Sequence, residues 1–85
     1  MTIRFTKHAL EKFSSLKESG VMVSKEEVIT TIRSPDRIDH GRTPLLIAQS
    51  EFSMWRVLRV VYKIDKGAII VITFYPGSKS QYEKR

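Results

Sequence analysis

The sequence predicts an α+β fold in which two N-terminal helices pack on one face of a twisted antiparallel sheet of about four strands. Three observations predict it. Two segments with helical apolar spacing come early, two β-rich runs joined by a glycine-bearing loop come late, and 85 residues leave room for a single core. With 41% apolar residues the chain has the material to fold. One domain is expected over residues 1–76, with a basic C-terminal tail over 77–85.

Residues 2–6, TIRFT, have short-strand character, and Thr6 is a suitable N-cap for the helix that KHALEKFSSLKES predicts. Its buried stripe is Ala9, Leu10, Phe13 and Leu16, and His8, Lys12, Ser15 and Ser19 flank that stripe. In the second helix Ser24 and Glu27 have capping-box spacing, Val23 and Val28 can form the hydrophobic staple, and Val28, Ile29 and Ile32 face the core. Ser34 and Pro35 end it. DRIDHGRT then reads as a short extended piece with a turn at Gly41, followed by a strand in PLLIAQSEF.

The run MWRVLRVVYKIDKGAIIVITFYP predicts a hairpin whose loop is Asp65, Lys66 and Gly67. Pairing Ile64 with Ala68 sets Tyr62 opposite Ile70, Val60 opposite Ile72 and Leu58 opposite Phe74 on one apolar face for the helices to cover. The other face then carries Lys63 opposite Ile69, Val61 opposite Val71, Arg59 opposite Thr73 and Val57 opposite Tyr75, with Trp55 beyond. Arg59, Thr73 and Tyr75 converge on that face.

The absence of cysteine excludes a disulfide framework, a thiolate nucleophile and a cysteine zinc site, which favours the cytoplasm. MTIRFTKHAL lacks the apolar core of a secretory signal, and the longest apolar run, Ala68 to Ile72, is too short to span a bilayer, so no membrane association is expected. Fifteen Lys and Arg against nine Asp and Glu give a formal charge of +6, which favours approach to polyanions such as RNA or DNA. The basic residues are scattered rather than gathered in one block.

No phosphate-cradling glycine loop, H-E-x-x-H pair or G-x-S-x-G elbow occurs. Two histidines, His8 and His40, with Asp36 or Asp39 in support, make a poor metal set, so neither a metal nor another cofactor is expected. What remains suits metal-free phosphodiester cleavage: an imidazole to move a proton, cations to neutralise the transition state and hydroxyls to orient the phosphate. Those residues are His8, Lys12, Arg59, Thr73 and Tyr75. Arg59 lies between Val57 and Val61 in an apolar strand, so its charge must reach solvent, a carboxylate or a bound anion. Trp55 and Tyr75 can stack on unpaired bases, while Arg56 and Lys63 add electrostatic attraction to RNA.

The residues T-K-H-A-L-E-K, then V-S-K-E-E-V-I-T-T-I-R-S-P-D-R-I, then L-R-V-V-Y-K and I-I-V-I-T-F-Y-P, taken in this order, resemble the bacterial and archaeal family called domain of unknown function 4258. That family is placed near the RelE-like toxins, within the barnase, EndoU, colicin and RelE superfamily of metal-independent RNases. The resemblance spans residues 5–76 and implies a RelE/barnase-like fold with an RNase site of His8, Arg59, Thr73 and Tyr75. The family pattern has an arginine four residues after the histidine and another ahead of a glycine; Lys12 and Ser19 stand there in this chain. Lysine keeps the charge without the bidentate grip, and serine loses it.

The expected function is therefore a metal-independent endoribonuclease, the toxin half of a toxin–antitoxin pair, acting on RNA such as ribosome-associated mRNA and partnered by an antitoxin protein. The alternative is a catalytically inactive nucleic-acid-binding or protein-interaction module of the same fold.

Overall fold

A computed structural model describes residues 1–83. Among these the chain runs β1 (Thr2–Phe5), α1 (Lys7–Glu18), α2 (Lys25–Arg33), β2 (Arg37–Arg42), β3 (Leu45–Glu51), β4 (Arg56–Asp65), β5 (Ala68–Ser78) and α3 (Lys79–Tyr82). The strands form one five-stranded sheet in the order β1-β5-β4-β3-β2. The α+β class is as expected, but the sheet is mixed rather than antiparallel, because β1 pairs parallel with β5 from Thr2–Ala68 to Phe5–Val71. The TIRFT segment thus adds a fifth strand, reached across the helices by a crossover of the kind a parallel pair requires.

Both long helices pack on one sheet face. Ala9 of α1 and Val28 and Ile32 of α2 join Ala48, Leu58, Val60, Tyr62, Val71 and Phe74 in one buried cluster, with Phe13 and Leu16 packed against it. Phe13 meets Phe74 at a ring separation of 4.5 Å. Leu10 departs from the expected stripe and is 48% exposed, while Thr31 of α2 is buried. Thr31 is admitted to the interior because its hydroxyl donates to the Glu27 carbonyl and shares a 2.6 Å hydrogen bond with Ser50 Oγ.

The caps form as the sequence predicts. Thr6 Oγ1 accepts from the Ala9 amide, and Ser24 and Glu27 exchange both bonds of a capping box. Val23 and Val28 are both buried beside it. The turn between β2 and β3 lies at Thr43 and Pro44 rather than at Gly41, which instead belongs to β2 where the register shifts between Asp39 and Arg42.

The β4–β5 hairpin closes through two residues, not three. Lys66 (φ 49°) and Gly67 (φ 79°) both take positive φ, the conformation of a tight turn that follows strand twist, so Asp65 pairs with Ala68. A second shift follows between Val61 and Tyr62, where Tyr62 pairs with Val71 but Val61 pairs with Thr73. Ile72 is the extra residue of this bulge. Its carbonyl accepts from Thr6 Oγ1, and the Val71 carbonyl accepts from the Thr6 amide, so the bulge sits where β1 hands over to α1. The turn shift alone moves Ala68–Val71 to the face opposite the expected one, so Val71 joins the helix-covered core instead of the Arg59 face; beyond Ile72 the second shift restores the expected alternation. The final register sets Val60 opposite Phe74 and Arg59 opposite Tyr75.

The expected tail is corrected as well. β5 continues through Ser78, and α3 follows with Ser78 Oγ accepting from the Gln81 amide, so residues 77–83 belong to the folded unit. Residues 84 and 85 of the expected tail lie outside the described residues.

Candidate functional site

Arg59 lies near the start of β4, the central strand, on the sheet face away from α1 and α2, between Gln49 of β3 and Tyr75 of β5. It is 4% exposed. A guanidinium buried this far must have partners, and it has three. Nε donates to Tyr75 Oη at 3.1 Å, Nη1 to Gln49 Oε1 at 2.6 Å and Nη2 to Asp39 Oδ2 at 3.1 Å. Gln49 is itself 1% exposed, so its carbonyl depends on this bond.

Asp39 reaches Arg59 from β2, one strand beyond Gln49. The irregularity after Asp39 lets its other oxygen, Oδ1, accept from the Gly41 amide at 2.8 Å. That amide first, and the Arg59 guanidinium second, hold the Asp39 carboxyl below its ordinary range against a small opposing effect of burial. Burial draws the Arg59 guanidinium down, but its bonds to Tyr75 and Asp39 outweigh this and leave it raised.

One pH dependence follows. The folded chain holds the Asp39 proton less tightly than the unfolded chain, so the stability it contributes is complete above the ordinary value near 3.8. It is lost as pH falls through the lower folded value. Asp39→Asn is expected to flatten the decline in stability below about pH 4 in urea titrations; an acid limb unchanged by the substitution would uncouple this carboxylate from folding.

α3 covers the cluster. The Tyr82 ring lies 4.1 Å from Arg59 Cζ, and the Tyr75 ring stands 6.5 Å from that of Tyr82 at 55°. Gly77 underlies Tyr82, and a Cβ built there would overlap the ring. Arg37 Nη1 donates to the Tyr82 carbonyl at 2.9 Å. The Lys79 amide donates to the Trp55 carbonyl at 2.9 Å, and Lys79 Nζ pairs with Glu51 at 3.4 Å.

The other sequence-predicted residues are dispersed. Thr73 is half-buried opposite Val61, on the Arg59 face, and Tyr75 is half-buried beside it. His8 is exposed in the first turn of α1, and Lys12 is half-buried one turn later. The body of α1 lies across the sheet from Arg59. No described hydrogen bond or ion pair links His8 to Arg59, Thr73 or Tyr75, although the bonds from Thr6 to Val71 and Ile72 tie the start of α1 close to Thr73 along the chain. Trp55 is 75% exposed in the turn before β4. Arg56 and Lys63, both exposed, lie seven positions apart on β4, about 23 Å along an extended strand. A single nucleotide therefore cannot meet both.

Five residues of the cluster, Arg37, Asp39, Gln49, Gly77 and Tyr82, escape the sequence reading as site residues. The only signal for them is the apolar setting of Arg59, which calls for a carboxylate without saying which. Among the described residues no group of three or more His, Asp or Glu side chains suits a metal ion.

Comparison with protein-family models, curated proteins and solved structures found no match to this chain. A concave feature of about 350 Å³ lies between α2 and the β3–β4 turn, away from the Arg59 cluster, and is lined by Ser24, Glu26, Glu27, Thr30, Glu51 and Phe52 among others. Its three carboxylates oppose a phosphate there. No helix among the described residues is long and apolar enough to cross a membrane.

Proposed function

We propose that the chain is a single-stranded RNA-binding module with a RelE-like fold that binds without cleaving. Trp55 carries this reading. It is 75% exposed beside Met54, 74% exposed, and is followed directly by the exposed Arg56, on a chain of net charge +6. An indole held in a turn offers a stacking surface to a base, and an adjacent guanidinium offers a phosphate contact. Binding is preferred to catalysis because the donors that a phosphate would need from Arg59 already serve Tyr75, Gln49 and Asp39.

Titration of single-stranded RNA at salt concentrations from about 50 to 200 mM tests it. Affinity is expected to fall steeply with salt, and Trp55→Ala to weaken binding by about tenfold at fixed salt. Affinity indifferent to salt, or a Trp55→Ala variant that binds like the parent, would remove the basis of the reading.

A second reading, a metal-independent endoribonuclease acting as the toxin of a toxin–antitoxin pair, draws support from one arrangement. Arg59, Thr73 and Tyr75 share a face, and α1 begins where Thr6 is bonded to Ile72. RNA cleavage in EDTA that disappears in a folded His8→Ala variant would establish it in place of the first.

A further inference from the structure

We infer that the Tyr82 ring occupies a nucleobase seat on the Arg59 guanidinium, and that single-stranded RNA displaces it. The inference rests on the RNA-binding reading and names the base-binding slot.

The seat has the parts that recognition of an unpaired base requires. Its back is a planar cation, held flat by three hydrogen bonds and so ready to stack without further ordering. Tyr75 forms a tilted side wall 6.5 Å from the present occupant. Gly77 leaves the floor free of a side chain, giving a flat ring its space. Arg37, which now donates to the Tyr82 carbonyl, is exposed at the rim and is released for a phosphate when that carbonyl departs. An aromatic ring therefore sits on a cation with an arginine beside its backbone, which is the pattern a stacked nucleotide would make.

The occupant is weakly tethered. α3 is a single turn of four residues, too short to be stable by itself. Apart from the ring, it is held by the Ser78 cap, the Lys79 amide on the Trp55 carbonyl, the Arg37 bond and one partly exposed Lys79–Glu51 pair. Exposed pairs of that kind add little. The Lys79 bond also joins α3 to the turn that carries Trp55, so the slot and the Trp55 stacking surface lie at the same end of the sheet.

The test is equilibrium binding of a single-stranded RNA of about ten nucleotides to the full chain and to Tyr82→Ala and Tyr82→Phe variants, with folding verified by circular dichroism. Removing the competing ring is expected to tighten binding by about tenfold, and Tyr82→Phe, which keeps the ring, to match the parent. Hydrogen exchange on the parent chain tests the same point without substitution: saturating RNA is expected to speed exchange of the Lys79 amide as it leaves the Trp55 carbonyl. Parent-like or weaker binding by folded Tyr82→Ala, or a Lys79 amide slowed or unchanged by bound RNA, overturns the displacement while leaving RNA binding intact. Absence of RNA binding by both parent and Tyr82→Ala overturns the RNA reading, and the displacement with it.

Discussion

Arg59→Ala is expected to destabilise the folded chain by about 3 kcal/mol. The substitution strands the Gln49 carbonyl, in a residue only 1% exposed, and removes the donor to Tyr75 Oη. A buried amide left without its partner costs about 1–3 kcal/mol. The Asp39 side chain is 36% exposed and can take up water, so its share lies well below that of a fully buried ion pair. Loss of the arginine stem beneath Tyr82 adds a packing defect. Arg59→Met, which keeps the stem, is expected to recover part of the loss and separates packing from hydrogen bonding. Urea denaturation measures both; a change below about 1 kcal/mol for Arg59→Ala would mean that the cluster adds little to the fold. Loss of any RNA-dependent activity in this variant thus bears on the site only where the variant is shown to be folded.

Phe74→Ala is expected to cost about 4 kcal/mol, a large share of the about 5–15 kcal/mol that holds a small domain together. Phe74 is fully buried, lies opposite Val60 and takes the Phe13 ring of α1 against its own. Its removal opens a cavity where α1 meets the sheet, and the pairing of β5 with β4 on either side of Phe74 keeps the backbone from collapsing fully into the space. Thermal unfolding should show a fall in Tm of about 20 °C. Phe74→Leu, which retains most of the volume, is expected to lose far less. A Tm within about 5 °C of the parent for Phe74→Ala would move the centre of the core away from the α1–β5 contact.

Local chemistry was legible in the sequence. Thr6 and Ser24 announce their helices because a cap is settled by neighbours within three residues, and the apolar spacing of α2 places Val28 and Ile32 correctly. The parallel pairing of β1 was hidden because its partner lies 66 residues away and a short TIRFT run reads the same beside any strand. The hairpin shows a subtler failure. A loop one residue too long and a missed bulge at Ile72 each shift the register by one, and the two cancel in parity. Arg59 and Tyr75 therefore share a face as expected, now directly opposite one another, with Thr73 moved to Val61.

The candidate site was legible only at Arg59 and Tyr75. Its remaining members come from three other segments, β2, β3 and the chain end, and no periodicity links Asp39, Gln49 and Tyr82. GSKSQY has a tail's composition, yet it orders because Gly77 permits and Arg59 attracts an aromatic ring. A cation buried by one strand thus recruits structure from a segment with little of its own.

The pairing of the first strand with the last also constrains how the chain can be made. At about 5–20 residues per second, the segment that completes the sheet leaves the ribosome roughly 3–13 s after Thr2. Throughout that interval Phe13 and Leu16 have no β5 to cover, and α1 is an isolated amphipathic helix of twelve residues, marginal in water. Folding of this domain is therefore expected to complete only after β5 has emerged, and its rate to be set by closure of the β1–β5 loop rather than by formation of either helix.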